Sequence, residues 1–304
     1  MMARPCIFGE VLFDHFPDGR RVLGGAPFNV AWHLQALGAE PFLVSRVGAD
    51  DAGAAVQSAM SEWGMDQKGV VVDNKLPTGQ VRVSIEHNEP AYDIVRPVAW
   101  DQISIPRHLP QFGLLYHGSL ALRSEVSRAS CEELRAGTES GDTIVFVDVN
   151  LRSPWWSRTD VLHATQGAQW VKLNDDELDL LAPGRGDYQQ RARSLLNEFA
   201  LDGLLLTRGS RGAVLMSPDG GCCVTQPEEG IEIMDTVGAG DAMTSVIILG
   251  ILKGWDPQIS LDRAQALASA IVARRGATVL DPDFYQQFKK AWSLDVSKNE
   301  PEEV

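Results

Sequence analysis

The sequence predicts an α/β fold: a parallel sheet covered by helices on both faces, with a small β flap inserted. Three observations carry this. The runs "LLYHGS", "TIVFVDVN", "WVKLN" and "GLLLTRG" are short, almost wholly apolar and end in polar residues, as strands buried on both faces do. Amphipathic helical stretches lie between most of them. One region, Thr78 to Pro97, instead alternates strictly, with Val81, Val83, Ile85, Tyr92 and Ile94 apolar. That pattern gives a hairpin with one wet face and its turn at "EHNEP".

Along the chain, "CIFGEVLF" reads as a strand. "DHFPDGRRVLGG" is non-helical and adds a further strand pair to the flap. "APFNVAWHLQALG" is a helix: Pro27 suits its first turn, Val30, Leu34 and Leu37 share a face, and Gly38 suits the position after its end. "FLVSRVG" is a strand, "DAGAAVQSAMSEWG" a helix stopped at Gly64, and "GVVV" a strand. Beyond the hairpin and the apolar strands, "IEIMDT" alternates like a strand end and "AMTSVIILGIL" is a buried helix. The acidic tail "SKNEPEEV" is expected to fray.

A chain of 304 residues holds one large α/β domain or two smaller ones. Its formal net charge of −14 argues against nucleic-acid or anionic-membrane partners. A small anionic ligand stays compatible, because a helix N-terminus or a metal reverses the field locally. No window reaches the ~18 apolar residues of a membrane span. The start "MMARPCIFGEVLF" is too short for a signal segment. Cys6, Cys131, Cys222 and Cys223 form no C-x-x-C pair, which reads as reduced thiols in a cytoplasmic protein.

"MDTVGAGDAMTSVIILG" holds the strongest candidate chemistry. Gly238 and Gly240 let the backbone approach a ligand, the first-turn N–H groups of the helix form an anion hole, and Asp241 stands beside it. Alone, the stretch reads equally as a tight turn whose aspartate favours the helix dipole. In "GGAPFNVAWHLQALG", Gly24 and Gly25 allow close approach, and Asn29 offers a donor and an acceptor suited to a polyol; alone, it is a helix entry. Met243 occupies the third small position, so this is no dinucleotide fingerprint. Neither G-x-x-x-x-G-K-[ST], G-x-S-x-G nor H-E-x-x-H occurs.

The combination is more specific. "GEVLFD", "GGAPFNVAWHLQALG", "RVGADDAG", "VDVNLR", "KLNDDEL", "TRGSRGA" and "DTVGAGDA" occur in this order from Gly9 to about Thr278. Together they resemble the ribokinase-like carbohydrate kinases, the PfkB family, and look most like its bacterial fructokinases. The resemblance implies a ribokinase-like three-layer α/β/α sandwich (residues 1–13, 24–75 and 98–304) with a small β-sheet lid (14–23 and 76–97). It implies an ATP- and Mg²⁺-dependent sugar kinase, with fructose foremost. Ribose, 2-keto-3-deoxygluconate or a nucleoside stay as alternative substrates, and a silent sugar or nucleotide sensor as a rival from another class. A nucleoside needs an aromatic clamp, and an acid needs cationic pocket residues.

By the same resemblance Asp241 is the base that takes the sugar hydroxyl proton, with Gly238, Ala239 and Gly240 around the transferred phosphoryl group. Asp14, Gly25 and Asn29 resemble the sugar contacts. Arg152, in the D-x-N-x-R stretch with Asp148 and Asn150, is either a phosphate clamp or a structural ion pair. Arg96 resembles an arginine that some members send into the sugar pocket, and Tyr92 is a lid contact or a strand residue. Asn174 and Glu177 match an N-x-x-E pattern that organises Mg²⁺, often through water, and fit a helix cap equally. Thr207, Gly209 and Gly212 resemble the loop beside ATP; Arg208 is given no role. Asp235 and Thr236 resemble the nucleotide loop and, in many members, a K⁺ site. The family also knows homodimers through the lid, which the alternating hairpin permits.

Overall fold

The computed structural model describes residues 3–86, 89–138, 143–227 and 230–294. It opens with β1 (Pro5–Phe8), β2 (Leu12–His15), β3 (Arg21–Gly24), α1 (Ala26–Ala36), β4 (Phe42–Gly48), α2 (Asp51–Glu62) and β5 (Val70–Asp73). The hairpin strands β6 (Gly79–Glu86) and β7 (Glu89–Ile94) follow. Next come β8 (Leu114–Gly118), α3 (Glu125–Ala136), β9 (Ile144–Asp148), α4 (Arg158–Thr165), β10 (Trp170–Asn174), α5 (Asp175–Leu181), α6 (Tyr188–Glu198) and β11 (Gly203–Thr207). Then follow β12 (Ala213–Met216), β13 (Cys222–Thr225), α7 (Ala239–Lys253), α8 (Pro257–Val272) and α9 (Pro282–Ala291).

Nine strands form the main sheet in the order β13-β12-β11-β10-β9-β8-β1-β4-β5. Seven run parallel, and β12 and β13 add an antiparallel edge. Successive side chains face opposite cores. In β9, Phe146 packs with α1, α2, α7, α8 and α9, while Val145 and Val147 pack with α4, α5 and α6. α3 covers the same face as these last three, against Cys6, Phe8 and Leu115. The fold is the expected ribokinase-like three-layer sandwich.

The second sheet, ordered β3-β2-β6-β7, is the lid. Val81, Val83 and Ile94 are buried on one face, while Arg82 and Asp93 pair at 3.5 Å on the solvent side. Tyr92 lies opposite Val83, on the apolar face, yet is 58% exposed. Of the expected turn "EHNEP", Glu86 ends β6 and Glu89 and Pro90 begin β7, while His87, Asn88 and the tail "SKNEPEEV" fall outside the described residues.

Two expectations need correcting. "CIFGEVLF" is not one strand: it divides at Gly9 and Glu10 into β1 of the main sheet and β2 of the lid. "IEIMDT" is not a strand end. Its backbone turns to α8 instead, with the N–H groups of Met234 and Asp235 both donating to the Val272 carbonyl. Ile233 and Met234 are exposed, so the alternation has no sheet face to serve. The helix α1 buries its expected face of Val30, Leu34 and Leu37, and Pro27 to Leu34 are all buried besides, because α7 and the sheet enclose it.

Candidate active site

The chain builds β4 and β5 on one side of β1 and β8 to β11 on the other, so the order reverses at β1. Open α/β sheets bind ligands outside the strand carboxyl ends at such a point. The polar residues gather there. Asp148, Asn174 and Thr207 are the last residues of β9, β10 and β11.

Asp241 stands in the first turn of α7, whose cap Gly238 has φ +81. A Cβ on Gly238 would overlap Ala277, so packing as well as conformation requires glycine there. Beyond that cap, Gly240 and Asp241 bring first-turn N–H groups that the helix itself does not use. Asn29 in α1 donates from Nδ2 to Oδ2 of Asp241 at 2.8 Å, joining the two glycine-rich stretches across 212 residues. The amide's Oδ1 is buried and has no hydrogen-bond partner among the described residues. Gly24 lies between Oδ1 and Asp14: a Cβ there would stand 3.9 Å from Asn29 Oδ1 and 3.6 Å from Asp14 Oδ2. Asp14, Gly24, Asn29 and Asp241 thus form one polar hollow where the lid meets α1. Its unpartnered acceptor and carboxylates suit a ligand bearing several hydroxyls.

The hollow is electrostatically tense. Burial pushes Asp241 up to about 6, against the Asn29 bond and the Lys172 ammonium, which favour its ionised form. Burial likewise pushes Asp14 up to about 6, opposed by Arg152. Arg152 is exposed and donates to its neighbour's carbonyl, Leu151 O, at 2.9 Å. Its guanidinium acts on Glu10, Asp14 and Asp241.

Asn174 and Glu177 form a capping box at the start of α5. Glu177 accepts from Asn174 N at 2.8 Å through one oxygen and from Leu151 N at 2.7 Å through the other. Each oxygen keeps a second lone pair, which fits a water of a hydrated Mg²⁺. No cluster of three or more His, Cys, Asp or Glu able to hold a metal exists among the described residues. Such a site fits an ion that enters with nucleotide phosphates, not a protein cage.

The Asp235 carboxylate is held by Val237 N and Gly276 N, each at 3.0 Å, so it fixes the loop before Gly238; Thr236 follows it there. Thr207, Gly209 and Gly212 line the turn from β11 to β12, with Gly212 pressed on the Thr225 carbonyl. Arg208 stacks 3.6 Å above Tyr188 and pairs with Asp175, a structural role. Arg96 lies 5.6 Å over the Trp155 ring. A cavity of about 690 Å³ between α3 and α4, lined by Cys131, Arg135, Trp155 and His163, contains none of the candidate site residues.

Four residues beside the hollow escaped the sequence reading. Lys172 in β10 binds both Asp148 oxygens, at 2.9 and 3.0 Å, and its Nζ would lie 3.4 Å from a Cβ on Gly240. Burial alone would lower its pKa, but Asp148 and Glu177 outweigh this and raise it. Asp148 therefore faces Lys172 and the Tyr116 hydroxyl, which donates to it at 3.3 Å, below the cleft. Arg123, stacked on Trp100 at 3.9 Å, pairs with buried Asp101. Glu10 is 3% exposed. The signal for Lys172 and Glu10 was present: each is a lone charge in an apolar run.

Comparison with known proteins shows the family and the fold. The pfkB family carbohydrate kinase model matches residues 8–283. The aminoimidazole riboside kinase of Salmonella typhimurium is 28% identical, over 96% of this chain and 97% of its own. A fructokinase of Klebsiella pneumoniae is 30% identical, over 93% and 97%. The crystal structure of the Salmonella enterica aminoimidazole riboside kinase, complexed with aminoimidazole riboside and an ATP analog, superposes with a TM-score of 0.81. It is 26% identical and covers 94% of this chain and 99% of that one.

Proposed function

Because the chain belongs to the pfkB family of carbohydrate kinases, we propose that it transfers the γ-phosphoryl group of ATP to a primary hydroxyl of a free hexose, fructose foremost. One observation supports the mechanism most: the 2.8 Å bond from Asn29 to Asp241, which favours Asp241 as a base facing the polyol hollow. Asp14, Gly25 and Asn29 hold the sugar. Asp241 takes the proton from the hydroxyl, so that alkoxide character develops as the phosphoryl group arrives. The N–H groups of Ala239, Gly240 and Asp241 stabilise charge on that group, and Arg152 supplies a forked donor at the rim. Arg96 belongs to the lid side of the pocket.

Asn174 and Glu177 would hold a hydrated magnesium ion through its waters, and that ion would supply charge neutralisation of the phosphates. Thr207, Gly209, Gly212, Asp235 and Thr236 shape the nucleotide side, the last two beside a K⁺ site. The lid, residues 14–23 and 76–97, closes to exclude water. A homodimer through the lid would cover exposed Tyr92. The four cysteines are free, which supports a reducing, cytoplasmic setting. No helix among the described residues is long and apolar enough to cross a membrane.

A riboside is the second reading, favoured by the likeness to the aminoimidazole riboside kinase. A coupled ADP-release assay over ketoses, aldoses, ketodeoxyacids and ribosides decides. Fructose should give the highest kcat/KM. A riboside preferred over every free sugar would replace the fructose assignment, and no stimulation by any acceptor would favour a sensor.

A further inference from the structure

Glu10 is a buried acid beside Asp241 to which the reading above gives no task. It stands in the joint between the two sheets, after β1 and before β2. The joint is tightly fixed. A Cβ on Gly9 would overlap the Pro27 ring, and one on Gly25 would stand 2.7 Å from the Glu10 carbonyl oxygen. Glu10 is thereby pressed on the N-terminus of α1. Its Oε2 is buried with no hydrogen-bond partner among the described residues. Charged and titratable groups face it from several elements: Asp241 from α7, Arg152 from the segment after β9, Arg123 from the turn after β8, and Tyr116 from β8.

Two carboxylates in one buried hollow disfavour each other, and the pair is relieved by a single proton. Asp241 has stabilisers for its charge, the Asn29 amide and the Lys172 ammonium. Glu10 has its own backbone N–H and two guanidiniums in favour of its charge, but it is 3% exposed and its Oε2 has no donor among the described residues, so the proton rests on Glu10. We propose that Glu10 is a positioning residue of the phosphoryl transfer: as a neutral acid it holds the proton of the pair, leaving Asp241 ionised. The inference rests on reading Asp241 as the base. Burial pushes Glu10 up to about 7, opposed by a hydrogen bond from its own backbone N–H and by both guanidiniums and reinforced by Asp241, while burial pushes Asp241 to about 6. Below about 6 Asp241 is protonated and idle. Above about 7 Glu10 ionises and sets a second negative charge against the arriving phosphoryl group. Activity should therefore peak between the two.

Glu10→Gln copies the size and neutrality of the protonated acid. Difference infrared spectroscopy of the ligand-free protein should show a protonated-carboxyl band that fades through about pH 7 and is lost in Glu10→Gln, whose remaining carboxyl signal, from Asp14 and Asp241, fades through about pH 6. This readout needs no substrate, so it stands or falls apart from the kinase reading. In the ADP-release assay, the variant should keep about half or more of wild-type kcat/KM near pH 6.5 and lose the alkaline decline, exceeding wild type about threefold near pH 8.5. A wild-type protein without that band overturns the proposal. So does a folded Glu10→Gln variant that retains the alkaline decline or is as inactive as Asp241→Asn. A protein with the band but no kinase activity sinks the assignment of Asp241 instead.

Discussion

Asn29 is the residue on which the site turns, because it is bonded to Asp241 and keeps a second buried atom free. Asp241→Asn should leave ATP binding near wild type and lower kcat by ~10²–10⁴, the usual worth of a general base; calorimetric titration and the coupled assay test both halves. Asn29→Ala acts on the same atom by another route. The amide bond lowers the pKa of Asp241 against the larger effect of burial, so its loss raises that pKa further. The acid limb of kcat/KM should then move to higher pH, and an unmoved or lowered limb would show that the bond does not tune the base. Asp241 and Asn29 were legible because each sits in a glycine-rich stretch at a helix start. Glu10, Tyr116 and Lys172 were not assigned, because a polar letter in an apolar run does not say which wall it faces.

Elements set these atoms in place through one loop. α1 grips the segment after α8: Trp32 Nε1 donates to Val279 O at 3.0 Å, and His33 Nε2 lies 3.0 Å from Ala277 O. Ala277 is in turn the floor under Gly238, which caps α7. Gly238→Ala demands a positive φ from a residue with a Cβ, costing ~1–2 kcal/mol, and drives that Cβ into Ala277. Either the loop or the first turn must shift. The expected result is a lower Tm together with a loss of kcat of about tenfold or more, since small misplacements at the reacting centre are costly. Wild-type kcat in a merely destabilised variant would detach the loop from catalysis. Period and composition revealed the strands as far as β11 and the helix α7, but gave no reading at β12, β13, α8 or α9. They failed at "IEIMDT", where alternation arose without a partner strand, and at "CIFGEVLF", where a lone glycine and glutamate mark a change of sheet. Both depend on contacts far along the chain, which local pattern does not record.

Across the whole molecule, the lid is tied down at both ends of its hairpin. Asp50 caps α2 and also accepts from the Thr78 N–H and hydroxyl, at 2.8 and 2.6 Å, just before β6. Arg123 donates to Val95 O at 2.7 Å, just after β7. The cores these ties connect contain two buried histidines, and these give stability a pH dependence of definite sign. Burial pushes His33 down to about 4 and His117 to about 3. The unfolded chain, with histidines near ~6.5, binds their protons first as pH falls, so each histidine withdraws stability from about pH 6.5 downwards. For His33 the loss reaches about 3 kcal/mol by pH 4. Glu10, Asp14 and Asp241 act in the opposite sense, since their raised values make the folded state bind protons first as pH falls from about 7. The wild-type profile sums both trends, so the histidine part must be read as a difference. His33→Gln loses the fit to Tyr285 and Ala277 and should be less stable than wild type near pH 7.5. In urea unfolding, that gap should narrow steadily as pH falls from about 6.5 to 4.5, because only the wild type has this proton to gain. A gap that stays constant would mean that His33 does not titrate between the folded and unfolded states, and that the acid response belongs to the carboxyls alone.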